Sequence, residues 1–180
     1  QFAVFMSWVL LLSSPVFFLS WGFNIILTAR SENKLKSISK EINSNYGVET
    51  ACFSCDLADK QGPQNIYNFC ESKNYQVDIL VNNAGYALPD AFEKNSVEDE
   101  ENCIRVLGTS VISLTKLFVR NMIKNNSGKI MIVSSVAAFA PPAAIQVMYG
   151  PLKTFVNRFS EALNINYNSK GITSTALCPG

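Results

Sequence analysis

From residue 23 to the end, short apolar runs alternate with stretches whose apolar residues recur at helical spacing. Residues 23–29 (FNIILTA) are almost continuously apolar, as a strand covered on both faces requires. Ser31 predicts the cap of a helix through about residue 45, with Leu35, Ile38 and Ile42 on one side. Residues 48–55 read as the next strand, and residues 60–74 as a helix carrying Ile66, Phe69 and Cys70. Residues 78–82 (DILVN) form a strand that ends in the turn Asn83-Ala84-Gly85. The longest helix is predicted over 96–124, through Val106, Leu107, Val111, Leu114, Leu117, Phe118 and Met122, with Ser127-Gly128 stopping it. Residues 129–133 (KIMIV) are a strand delivering Ser134 and Ser135; a helix over 149–169 and a strand over 172–177 follow. Strands alternating with helices predict a doubly wound, parallel α/β sheet.

Residues 1–21 break the pattern. They carry no charge and are mostly Phe, Leu, Val and Trp. About 20 such residues span a bilayer as a helix. A cleavable leader fits less well, since no basic stretch precedes the apolar run. A membrane helix here would make the protein membrane-associated; otherwise a cytoplasmic location is expected. The chain starts at Gln1 and stops at Gly180 directly after a strand, so it reads as a fragment lacking a C-terminal substrate loop.

Composition narrows the chemistry. With 48% hydrophobic residues, 180 residues suffice for one domain with a sizeable core. A net charge of +1, without basic runs, argues against a nucleic-acid partner. There is no histidine, which excludes Ser-His-Asp and Cys-His catalysis and mixed zinc sites, and no metal is expected. Cys52 and Cys55 form a lone CxxC in or after a strand, and the five cysteines read as structural thiols. The sequon Asn125-Asn126-Ser127 sits in a Lys/Asn-rich loop and reads as chance.

Tyr149-Gly-Pro-Leu-Lys153 opens a helix, placing a phenol and an ammonium on one face. Phenols ordinarily ionise near pH 10. A nearby ammonium favours the phenolate and makes such a group a usable acid or base. Pro151 fits the first helical turn. Alone, YxxxK is a weak signal. It gains weight because Ser134-Ser135, the Asn82-Asn83-Ala84-Gly85 turn and the Pro179-Gly180 turn all follow strands, and parallel sheets bind ligands beyond their carboxyl ends.

This combination resembles the classical short-chain dehydrogenase/reductases over about residues 22–180, and with it a Rossmann-like fold. NIILTAR at 24–30, DILVNNAG at 78–85 and FSEAL at 159–163 are most similar to the group holding DltE-like dehydrogenases, 17β-hydroxysteroid dehydrogenases and 3-ketoacyl-CoA reductases. The resemblance implies that Tyr149 is the general acid in carbonyl reduction and that Lys153 assists it and holds the nicotinamide ribose. Ser135, rather than Ser134, binds the substrate oxygen. Asn83, Ala84, Gly85, Pro179 and Gly180 line the cofactor, and Asp56 with Leu57 meets the adenine. Arg30 stands where the family selects its cofactor; arginine suits the 2′-phosphate of NADP, so NADP is expected over NAD. The implied substrate is a small carbonyl or alcohol compound, with a steroid or an acyl chain as the apolar option. The implied assembly is a homodimer or homotetramer through the helices at 96–124 and 149–169.

Three departures stand out. The family's TGxxxGxG motif should precede residue 23, yet Gly22 is the only glycine there. Two explanations compete. Either residues 2–5 (FAVF) are the first strand and the following residues replace the glycine loop and helix, or residues 1–21 are a membrane helix. Membrane-bound relatives keep the glycine motif after their anchor, which favours the degenerate first unit. The catalytic Asn of the long helix is missing; its place falls on Leu107 or Arg105. Ser135 precedes Tyr149 by one residue more than usual, with Pro141-Pro142 between. The functional expectation is therefore an NADP(H)-dependent oxidoreductase, the rival being an impaired or inactive fragment without cofactor binding.

Overall fold

A computed structural model of the chain describes residues 2–6, 22–141 and 146–180. Residues 7–21 lie outside them, and with them the choice between a replaced phosphate loop and a membrane helix; so does Pro142. The described residues form one six-stranded sheet: β1 (Phe2–Met6), β2 (Asn24–Ala29), β3 (Thr50–Ser54), β4 (Val77–Asn82), β5 (Gly128–Val133) and β6 (Ile172–Leu177). Its order is β3-β2-β1-β4-β5-β6, and every pairing is parallel. This is the doubly wound Rossmann order. Phe2–Met6 lies at the centre, Val4 opposite Ile26 on one side and Leu80 on the other.

The continuous apolar runs are explained by burial on both faces. Along β2, Ile26 joins the layer holding Val4, Leu80, Ile130 and Ile132, whereas Ile25 and Leu27 point to the opposite layer with Ala3, Ile79 and Val81. Helix α1 (Glu32–Tyr46) covers the second layer with Leu35 and Ile42. Ser31 holds its N-cap position without a side-chain hydrogen bond, so position rather than bonding marks the start. Gly47 ends the helix in the left-handed conformation, at φ 66°, with its N–H donating to the Asn43 carbonyl. The first layer is covered by α2 (Gly62–Ser72), by the long helix and by α5 (Tyr149–Tyr167), through Ile66, Leu114, Phe118, Val156 and Leu163. Each such side chain, fully withdrawn from water, contributes roughly 1.5–3 kcal/mol.

The long helix is three pieces: α3 (Val97–Ile104), a π-helical turn at Arg105–Thr109, and α4 (Ser110–Lys124). Its full span is long and apolar enough to cross a membrane, but its apolar face packs on the sheet through Val111, Leu114 and Phe118. A capping box fixes its start: Ser96 Oγ accepts from the Asp99 N–H at 3.1 Å, and the Ser96 N–H donates to Asp99 Oδ2 at 3.3 Å. π-turns within helices concentrate at functional sites, and this one faces the carboxyl edge of β4.

Candidate active site

Parallel strands deliver the chemistry-bearing residues to one edge. Asp56 and Leu57 follow β3, Arg30 follows β2, Asn83, Ala84 and Gly85 follow β4, Ser134 and Ser135 follow β5, and Pro179 and Gly180 follow β6. Across the sheet, the residues expected at adenine lie on one side of β1 and those expected at nicotinamide on the other. That order suits an extended dinucleotide laid along the edge. Arg30 is exposed, its guanidinium accessible to an anion, and its carbonyl accepts from Ser54 Oγ at 2.8 Å. Asp56 Oδ1 accepts from the Ala58 N–H at 2.9 Å, which shapes the loop after β3, and Leu57 packs on the core. Val136 N–H donates to the Pro179 carbonyl at 3.0 Å, tying the β5 and β6 exits together.

Helix α5 begins at Tyr149, with Pro151 inside its first turn. Three contacts press that turn against the loop after β5. Ser134 Oγ donates to the Lys153 carbonyl at 2.8 Å, Thr154 Oγ1 donates to the Ala138 carbonyl at 3.0 Å, and Lys153 Nζ donates to the Val133 carbonyl at 2.8 Å. The two serines thereby differ in kind. Ser134 is buried and spends its hydroxyl on α5, whereas Ser135 is half-buried and its Oγ accepts from the Ala137 N–H at 3.1 Å. A hydroxyl that accepts in this way keeps its own hydrogen free to donate.

Lys153 is 5% exposed, and its ammonium lies 5.4 Å from the centre of the Tyr149 ring. Burial pulls its pKa down to about 8, with Cys103 and Cys178 acting weakly against it. The ring of Tyr149 rests on an apolar cluster of Cys103, Leu107 and Leu152, joined by Tyr86, Leu88 and Met148. The cysteines are all free thiols. Burial pushes Cys55 up to about 11 and Cys70 up to about 12, which leaves both as inert thiols. No cluster of potential metal ligands occurs among the described residues.

A family model described as short chain dehydrogenase matches residues 17–180. The chain belongs to the short-chain dehydrogenase family. It is 34% identical over 164 residues to very-long-chain 3-oxoacyl-CoA reductase-B of Danio rerio, an alignment covering 88% of this chain and 51% of that protein. It is 32% identical over 163 residues to 17-beta-hydroxysteroid dehydrogenase type 3 of Rattus norvegicus, with the same 88% and 51% coverage. The chain thus spans about half the length of these relatives. L-sorbose reductase from Gluconobacter frateurii, solved with NADPH and L-sorbose, superposes with a TM-score of 0.92 at 23% identity, over 100% of this chain and 69% of that one. A short-chain dehydrogenase from Sphingobium yanoikuyae, solved with NADPH, gives 0.90 at 23% identity, over 99% and 70%. At such identities the likeness is one of fold.

Against the family pattern, the two positions competing for the missing Asn both lie within the π-turn. Leu107 is 2% exposed, and a Cβ on Gly85 would meet its Cδ2 at 2.6 Å, so Leu107 closes over the NNAG turn. Arg105 turns outward to Glu101, at 3.3 Å. Residues that the sequence reading did not single out also line this region. Asn95, Glu100, Cys103 and Met148 share a small cavity with Tyr149. The signal that could have located them is the capping box at Ser96 and Asp99, which sets the phase of the helix carrying Glu100 and Cys103.

Proposed function

We propose that the protein interconverts a ketone and a secondary alcohol using NADP(H), with Tyr149 as general acid and base. The observation that supports this reading is the seam between the β5 exit and α5, where Ser134, the neighbour of Ser135, bonds the Lys153 carbonyl and the Lys153 ammonium lies 5.4 Å from the centre of the Tyr149 ring. In reduction, Ser135 donates its hydroxyl hydrogen to the substrate oxygen, and Tyr149 transfers its phenolic proton to that oxygen as charge develops. Lys153, held beside the ring, supplies positive charge and a donor for a ribose hydroxyl. When bound, the nicotinamide supplies or accepts the hydride. Arg30 would hold the 2′-phosphate, with Asp56 and Leu57 at the adenine and Asn83, Ala84, Gly85, Pro179 and Gly180 along the remainder. The NADPH carried by the two structural neighbours supports this cofactor.

An apolar substrate fits the exposed Val136, Phe139, Val147 and Leu177, which flank the loops leaving β5 and β6 and the start of α5. The relatives named for 3-oxoacyl-CoA and hydroxysteroids point to an acyl chain or steroid. The test is titration of the purified chain with NADPH and NADH by cofactor fluorescence, followed by turnover with long-chain 3-oxoacyl and steroid ketones. Micromolar NADPH binding with ketone reduction is expected. A folded chain that binds neither cofactor would make the site inherited and idle.

A further inference from the structure

A dinucleotide with its adenine on one side of β1 and its nicotinamide on the other carries its diphosphate across the exit of that strand. Backbone N–H groups hold a diphosphate where glycines let the chain come close. Before residue 23 the sequence has Gly22 alone, and it has no lysine or arginine before Arg30. Side chains must then supply donors, and Tyr86 has one to give. It follows directly on Gly85 at the exit of β4, the neighbour of β1. Its ring packs with Cys103, Leu107 and Leu152, and its carbonyl accepts from the Cys103 thiol at 3.9 Å. Its hydroxyl makes no hydrogen bond among the described residues. Two charged groups from the far side of β1 act on that phenol: Arg30, after β2, and Asp56, after β3. A side chain rooted at β4 with such neighbours reaches over the exit of β1.

We infer that the Tyr86 hydroxyl donates to the diphosphate of the bound dinucleotide. The inference rests on the reading of this edge as an NADP(H) site. Burial, followed by Cys103, pushes the phenol pKa upward; Asp56 and Asp99 add to this and the Arg30 guanidinium opposes it. The group is therefore a protonated donor at neutral pH. It adds a hydrogen bond without adding charge, and a phosphate oxygen accepts it more strongly than a neutral oxygen would. Other donors along the edge are already spent. The Lys153 ammonium goes to the Val133 carbonyl, Ser134 Oγ to the Lys153 carbonyl and Ser54 Oγ to the Arg30 carbonyl. The diphosphate is common to NADPH and NADH, whereas the 2′-phosphate belongs to NADPH alone. Tyr86 therefore sets affinity for both cofactors and preference for neither, which separates its role from that of Arg30.

Fluorescence titration of wild type and Tyr86→Phe with NADPH and with NADH tests this. The substitution keeps the ring in its cluster and removes only the hydroxyl; coincident urea unfolding curves check that the fold is unchanged. Kd should rise about tenfold to a hundredfold for both cofactors, the scale of one lost hydrogen bond to a charged group, with the ratio of the two values preserved. Unchanged affinity, or a loss confined to one cofactor, overturns the inference and leaves the functional reading standing. A folded wild type that binds neither cofactor removes the functional reading, and the inference with it. A crystal structure of the wild-type NADPH complex gives an answer independent of the variant. It should place the Tyr86 hydroxyl within hydrogen-bond distance of a diphosphate oxygen, and a hydroxyl directed elsewhere overturns the inference.

Discussion

Lys153 places a positive charge where water does not reach, and this has a measurable consequence for stability. Its ammonium is 5% exposed, it donates to one neutral carbonyl, and burial lowers its pKa from 10.5 to about 8. That difference, at about 1.4 kcal/mol per pKa unit, gives a penalty of about 3 kcal/mol for holding the charged lysine in the fold. The penalty is full below pH 8, where both folded and unfolded chains carry the proton. Between pH 8 and 10.5 the unfolded chain still holds its proton while the folded chain has released it, so stability rises with pH; above 10.5 the penalty is gone. Lys153→Met removes the charge at nearly constant volume and leaves the Val133 carbonyl without this donor, at a pH-independent cost of about 1 kcal/mol. The variant should therefore be about 2 kcal/mol more stable than wild type at pH 7. Its advantage should fall by about 2 kcal/mol on going to pH 10. Urea unfolding followed by far-ultraviolet circular dichroism at both pH values measures this, and the other titrating groups cancel in the comparison. Parallel stability curves for the two proteins would refute the account of Lys153 as a buried, desolvated cation.

Tyr149→Phe keeps the ring on the cluster of Cys103, Leu107 and Leu152, so it should abolish ketone reduction while NADPH affinity stays within about twofold, since only the acid is lost; steady-state kinetics and fluorescence titration check it. Arg30→Asp should weaken NADPH binding by about tenfold to a hundredfold, the scale of a lost charge-assisted hydrogen bond, and move preference toward NADH; unchanged preference would sink the assignment of Arg30. Gly171 has φ 73° and a Cβ there would run into the Asn126 carbonyl, so Gly171→Ala should destabilise the chain by at least about 2 kcal/mol in urea unfolding.

Much of this architecture was readable in the sequence because parallel strands buried on both faces have a plain signature. NIILTA, DILVN and KIMIV each hold an unbroken apolar run of three or four residues, IIL, ILV and IMIV, and each lies in a strand. FAVF was readable only through the expectation of a central strand, since four apolar residues inside a longer apolar stretch carry no period of their own. The long helix over 96–124 was found through the spacing of its apolar residues, but its π-turn was not. One extra residue per turn, confined to Arg105–Thr109, leaves the overall spacing nearly intact. The site divided along the same line. Tyr149, Lys153 and Ser135 form a spaced motif, whereas the cavity holding Glu100 depends on how two helices meet after folding.

The seam between β5 and α5 explains why stability and chemistry cannot be separated here. Ser134 donates into the backbone of α5 at Lys153, and Lys153 returns a donor to the last residue of β5. These two bonds cross in opposite directions and fix the helix in both height and rotation against the strand. The rotation sets where Tyr149 faces, and the height sets its distance from Ser135, one residue beyond Ser134. The buried charge costs the fold about 3 kcal/mol near neutral pH, and an apolar side chain would serve the core better. A lysine here carries that cost 5.4 Å from the centre of the Tyr149 ring, as the proposed role of an ammonium held beside a phenol would require.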